Sequence, residues 1–228
     1  MPELKAFAFA VIALVCTSTC ARTNTAPVAC PADAPFLAAE SLKKTELELR
    51  VFKRYCYTDK SGSYVLVLAE KQDRPFVQET LSSFVRATLY KIGSDMTLTQ
   101  QWTIRDFAAK GEAGVNFRSK LIEVVDLDGD GLFEPIVVYQ FFNFSPDKDV
   151  DASDYTGRIK IVTFRKGEKV TIQAITGELD RMRRTTANSN YFALPKPARQ
   201  YLVDKMAAMY KASQFGFDNS YDFKPRKE

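Results

Sequence analysis

Four times along this chain an apolar, β-branched run is followed by a short turn and a second such run, a pattern that restricts the fold more than any other feature. From Glu46 to Tyr57, Leu47, Leu49 and Val51 alternate with Glu48, Arg50, Phe52 and Arg54, the period of a half-buried strand. Thr58-Asp59-Lys60-Ser61-Gly62-Ser63 supplies turn chemistry, and Tyr64 to Ala69 reads as the return strand. Phe84 to Ile92 and Thr97 to Phe107 form a second unit around Gly93-Ser94-Asp95, with Leu98, Trp102 and Ile104 assigned to one face. Phe117 to Val125 and Pro135 to Phe142 form a third unit. Arg158 to Phe164 and Val170 to Thr176 form a fourth around Arg165-Lys166-Gly167-Glu168-Lys169. The expected fold is mainly β, an antiparallel strand meander of propeller-like or sandwich-like form. Four hairpins are too few for a closed propeller of four-stranded blades, which favours an open or sandwich-like sheet.

Helical signals are confined to the flanks of this pattern. A short helical piece is expected around Ala34 to Leu42. Near the end, Pro195 and Pro197 open a segment through Ser213 in which Leu202, Met206 and Met209 fall at i, i+4 and i+7, the spacing of an amphipathic helix that packs on a sheet. No Gly/Ser-rich or Pro-rich linker interrupts the chain, so residues 22–228 are expected to form one mostly β domain with an N-terminal arm and a C-terminal helix.

The first residues carry a different message. Met1 to Lys5, the apolar run Ala6 to Cys16 and the small polar stretch Thr17 to Ala21 are the three parts of a secretory signal peptide, expected to be removed after Ala21. The apolar run has eleven residues, whereas a membrane-spanning helix needs about 20. Thr19 before Cys20 departs from the usual lipoprotein site, which favours a periplasmic, secreted or cell-surface protein over a lipid-anchored one. Cys30 and Cys56 are then the two cysteines left in an oxidising compartment and are expected to form a disulfide.

Composition removes several classes of chemistry. The chain has no histidine, which excludes Ser-His-Asp and Cys-His nucleophilic mechanisms and His-ligated zinc. No phosphate-binding glycine loop and no nucleophile elbow is present. The net charge is a mild +4 with acids and bases interspersed, so no nucleic-acid partner is expected.

The most informative segment is Asp126-Leu127-Asp128-Gly129-Asp130-Gly131-Leu132-Phe133-Glu134. Its carboxylates at loop positions 1, 3, 5 and 9 can fold inward onto one cation, with the Leu132 carbonyl at position 7 as a further oxygen. Hard oxygen donors point to calcium, expected as a structural ion held by Asp126, Asp128, Asp130, Leu132 and Glu134. Val137 stands where an EF-hand has its bidentate Glu, and the flanks read as strands. The Asp-x-Asp-Gly-Asp-Gly-x-x-Glu pattern resembles the calcium hairpins of FG-GAP repeats. A second acidic stretch, Asp147 to Asp154, lacks the glycine of a tight turn and reads as a solvated loop.

Taken in order, Trp102-Thr103-Ile104-Arg105-Asp106-Phe107, the Asp126–Gly131 loop, Ile159-Lys160-Ile161 and Ile175-Thr176-Gly177 resemble an exported bacterial family labelled surface polysaccharide biosynthesis proteins, over roughly residues 45–213. The resemblance implies an envelope role and polysaccharide or an envelope protein as partner; it carries over no catalytic residue. Three functions are consistent with the residues. The first is a calcium-stabilised binding or envelope-assembly protein. The second is a carbohydrate-active hydrolase using paired carboxylates, with Glu123 and Asp106 as candidates. The third is an adhesion module presenting Phe141-Phe142-Asn143-Phe144.

Overall fold

The computed structural model describes residues 24–25, 28–76, 79–146, 150, 157–177, 179–217 and 222–228. The expected signal peptide and the acidic stretch 147–154, apart from Val150, lie outside them. Two short strands, β1 (Asn24–Thr25) and β2 (Val28–Ala29), precede a 3-10 turn at Pro35–Ala38 and helix α1 (Glu40–Glu48). Then come β3 (Arg50–Asp59), β4 (Gly62–Glu70), the small ribbon of β5 (Arg74–Pro75) and β6 (Thr80–Leu81), β7 (Phe84–Ile92) and β8 (Leu98–Phe107). The second half holds β9 (Glu112–Phe117), a 3-10 turn at Ser119–Leu121, β10 (Glu123–Val125), β11 (Glu134–Asn143), β12 (Arg158–Arg165) and β13 (Glu168–Ile175). A 3-10 turn at Asp180–Met182, β14 (Arg184–Ala187), α2 (Ser189–Ala193), α3 (Lys196–Lys211) and β15 (Arg226–Lys227) complete it.

Apart from the β5–β6 ribbon, the described strands form two sheets. The smaller runs β2-β3-β4-β7-β8, and the larger runs β1-β10-β11-β12-β13-β14-β15, with β9 also paired to β11. All pairings are antiparallel except β14 with β15. The sheets face each other: Leu66, Leu68, Val85 and Ile104 of the small sheet share one core with Val137, Tyr139, Phe141 and Val162 of the large one. This is the sandwich-like form, not a ring of blades. Burial of alternate side chains from both sheets removes apolar surface from water at roughly 25 cal/mol per Å², which makes the face-to-face arrangement stable.

Each sheet also has a covered outer face. Val65, Val67 and Tyr90 of the small sheet pack with Phe36 and Leu42 of the 3-10 turn and α1. Ile136, Val138, Ile161 and Ile172 of the large sheet pack with Leu202, Met206 and Met209 of α3, as the helical spacing predicts. Strands with both faces buried read as continuous apolar runs, and β11 (EPIVVYQFFN) is buried at every position but Asn143.

Four sequence expectations need adjustment. The helix α1 continues through Glu48, so the strand expected from Glu46 starts at Arg50. Glu, Leu and Lys favour helix, and the alternation of Leu47, Leu49 and Val51 crosses a helix–strand junction that leaves Leu47 exposed. The register of β3 shifts at Val51/Lys53, which puts Tyr55 in the inter-sheet core and Val51 against the outer cluster. A shift at Leu89/Tyr90, opposite Trp102 and Gln100, does the same in β8, so Leu98 lies on the outer face while Trp102 and Ile104 face inward. The expected strand from Phe117 to Val125 is instead β9 and β10 separated by a 3-10 turn, the two pairing with successive stretches of β11.

The disulfide Cys30–Cys56 is present, with Cα atoms 5.0 Å apart. It fastens β2 to β3, where Val28 sits opposite Cys56. Among the described residues no helix is long and apolar enough to cross a membrane.

Candidate metal centre

The acidic loop joins β10 to β11 at one end of the sandwich. Gly129 and Gly131 have φ of 80° and 78°, the left-handed region, so the loop can turn twice within three residues. The Asp126 carboxylate, buried, sits at the centre of that turn: Oδ1 accepts the N–H groups of Gly129 at 2.7 Å and Asp130 at 3.0 Å, and Oδ2 accepts that of Gly131 at 2.8 Å. Asp130 Oδ1 accepts the Leu132 N–H at 2.9 Å. One carboxylate oxygen from each of Asp126, Asp128 and Asp130 comes within 4.8 Å of the others.

Glu134, the fourth carboxylate of the pattern, turns back on the loop instead of joining this group. Its Oε2 accepts the Leu127 N–H at 3.1 Å, and only 6% of the residue is exposed. Burial pushes its carboxyl up to about 8; the Leu127 N–H opposes that rise, and the charges of Asp128, Asp130 and Asp126 add to it. A backbone donor cannot offset the loss of water around a carboxylate with three acidic neighbours.

Other elements hold the loop in place. Arg165, at the end of β12, donates from Nε to Asp128 Oδ2 at 2.8 Å and from Nη2 to the same oxygen. Asp59, at the tip of the β3–β4 hairpin, accepts the Phe133 N–H at Oδ2 (3.0 Å) and the Ser61 N–H at Oδ1 (2.7 Å). The Lys60 side chain lies over Gly131, where an added Cβ would come 3.1 Å from its Nζ. The hairpin tip of one sheet therefore docks on the acidic loop of the other.

Beside this junction a cavity of about 180 Å³ opens between the sheets, lined by Tyr57, Tyr64, Trp102 and Phe164 with Asp59 and Glu134. The rings form two stacked pairs: Trp102 on Phe164 at 4.4 Å between centroids, and Tyr57 on Tyr64 at 5.1 Å. Burial raises the Tyr57 hydroxyl well above its ordinary range, with Asp59, Tyr64 and Glu134 adding to it, so it stays a neutral donor. In the sequence Asp59 reads as a turn residue and Trp102 as a core residue, and no local pattern marks either as lining a cavity.

The other residues singled out from sequence fall elsewhere. Asp106 accepts the Tyr139 hydroxyl and pairs with Lys160 on the inter-sheet face, whereas Glu123 pairs with Lys205 of α3 on the helical face of the large sheet. They do not form a carboxylate pair. Phe141 and Phe142 are buried, and the exposed Phe144 packs edge-on to Phe76, so the aromatic run is not a free surface. No protein-family model, characterised protein or solved structure matches this chain.

Proposed function

We propose that this chain is an exported β-rich binding module of the envelope, in which a structural calcium ion fixes the acidic hairpin and the aromatic cavity beside it receives a saccharide of a surface polysaccharide. The observation that carries the reading is the convergence of three aspartate oxygens within 4.8 Å. Calcium binds oxygens at 2.3 to 2.6 Å, so two ligands of one ion stand no more than about 5 Å apart. Asp126, Asp128 and Asp130 would hold the ion, with the Leu132 carbonyl as a further oxygen of the same loop; Glu134 would join them only on turning from the Leu127 N–H it accepts. Arg165 engages Asp128 through Oδ2 and leaves Oδ1 available, where the Asp130 N–H contact is a long 3.3 Å. A bound cation would supply charge neutralisation among acids that otherwise repel one another. The neighbouring cavity suits one sugar ring, whose apolar face can lie on an aromatic side chain while its hydroxyls reach Asp59 and Gln101.

Thermal unfolding of the chain in 1 mM calcium and in excess chelator, for the native protein and Asp128→Ala, tests the metal. A Kd of roughly 10 to 100 µM adds about 1.4 to 2.7 kcal/mol at that calcium level, and the substitution is expected to abolish the increment. A native melting temperature that is the same in both conditions sinks the reading. A second reading, a carbohydrate-active hydrolase, is favoured by Asp59 and Glu134 lining one cavity; polysaccharide turnover lost in folded Asp59→Asn and Glu134→Gln would select it.

A further inference from the structure

On the outer face of the small sheet, Arg86 of β7 and Arg105 of β8 stand directly opposite each other. Like charges so placed across an antiparallel pair repel, and the strands do nothing to separate them. The next pair on the same face is Thr88 and Thr103, whose hydroxyls are 3.1 Å apart. A cavity of about 360 Å³ lies over these residues, walled on one side by Lys44 and Glu48 of α1. Among the described residues that line it, three cations, Lys44, Arg86 and Arg105, thus face one carboxylate, Glu48.

The donors of Arg86 sharpen the picture. Its Nη1 donates to Glu48 Oε2 at 3.0 Å. Its Nε and Nη2 are buried and meet no acceptor among the described residues. Those two N–H groups form the side-on fork with which a guanidinium grips an oxyanion through two parallel bonds. Arg158 uses the same edge on Glu112, Nε to Oε1 and Nη2 to Oε2, both at 2.9 Å. In Arg86 the fork is formed, taken out of water and met by no acceptor among the described residues, which is costly unless a ligand supplies one.

We infer that this cavity binds a phosphate group or an equivalent tetrahedral dianion carried on a small polar molecule. Arg86 grips the anion through Nε and Nη2, Arg105 and Lys44 balance its charge, and the Thr88 and Thr103 hydroxyls offer further hydrogen bonds. The two positive charges in excess of Glu48 match a dianion. The space exceeds that of a bare oxyanion and leaves room for the body that carries it. Entry requires the exposed side chains of Lys44 and Arg105, which line the same cavity, to swing aside. The site is on the far side of the small sheet from the acidic hairpin, so it stands independently of the calcium reading.

The test is isothermal titration of the purified chain with inorganic phosphate in calcium-free buffer at fixed ionic strength, beside Arg86→Gln, Arg105→Gln and an acetate titration. The expected result is saturable one-site binding of phosphate, weakened at least ten-fold in both variants, with acetate at least ten-fold weaker than phosphate. Arg105 is exposed, so its variant keeps the test decisive even where loss of Arg86 disturbs folding. No saturable phosphate binding, an affinity unchanged in Arg105→Gln, or acetate binding as tightly as phosphate would each overturn the assignment.

Discussion

Replacing Glu134 by Gln in the calcium-free chain should change the pH dependence of stability in a calculable way. The Glu134 carboxyl is raised from 4.5 to about 8 in the folded protein, first by burial. Between those two values the native state retains a proton that the unfolded chain has released, so stability is fully present below pH 4.5 and is lost as pH rises toward 8. The slope is about 1.4 kcal/mol per pH unit. From pH 5 to pH 7 the native chain in chelator should therefore lose about 2 to 3 kcal/mol through this one group, roughly 4 to 12 °C in melting temperature for a chain of this size. The residue is only 6% exposed, so screening by water removes little of this. Glutamine cannot ionise, and its amide oxygen can still accept the Leu127 N–H. Glu70, also raised by burial, contributes with the same sign in both proteins and cancels in the comparison. The assay is thermal unfolding by circular dichroism at pH 5, 6 and 7, with the difference between Glu134→Gln and native plotted against pH. A difference that stays constant across this range refutes the reasoning. Saturating calcium should flatten the native profile, because a cation among the aspartates removes the repulsion that helps keep Glu134 neutral.

Two further outcomes rest on the core and its fastening. Loss of the Cys30–Cys56 link, by Cys30→Ser with Cys56→Ser, should destabilise the chain by about 3 to 4 kcal/mol given the 26-residue separation, read as a lowered denaturant midpoint with an unchanged native circular dichroism spectrum. Met206→Ala in α3 should cost about 2 to 5 kcal/mol, because the side chain is fully buried against the large sheet; urea unfolding gives the value, and a change below 1 kcal/mol would mean the helix is not seated there.

Local pattern and spacing made much of this molecule legible, and the gaps have definable physical causes. The strands β7, β11, β12 and β13 appear within two residues of where alternation and turn chemistry put them. The helix carrying Leu202, Met206 and Met209 buries the stripe its spacing predicts. The cysteine pair followed from counting. What periodicity could not reveal were the register shifts near Phe52 and in β8, because one inserted residue reverses the facing of everything beyond it without disturbing the apolar content. Short elements that depend on tertiary pairing, such as β14 and α2, carry no periodic signal. At the acidic loop the three aspartates come together as their spacing suggests, but Glu134 bonds to Leu127. The partners that hold the loop, Asp59, Lys60 and Arg165, lie 60 or more residues upstream or about 30 downstream of it, beyond the reach of any local rule.

The division of strands between the two sheets bears on how the chain acquires its structure. Apart from Asn24–Thr25, the small sheet is made wholly from residues 28–107 and the large sheet from residues 112–227. A chain emerging from its N-terminus can pair β2, β3, β4, β7 and β8 before the rest exists, and that nascent half presents Leu66, Leu68, Val85, Ala87 and Ile104 to solvent on one flat face. Its cover begins with Val115 and Phe117 of β9 and is complete only when β11 and β12 arrive, the latter some fifty residues later. Self-association of half-made chains therefore competes with completion during this interval, and the sequence between β8 and β12 sets its duration.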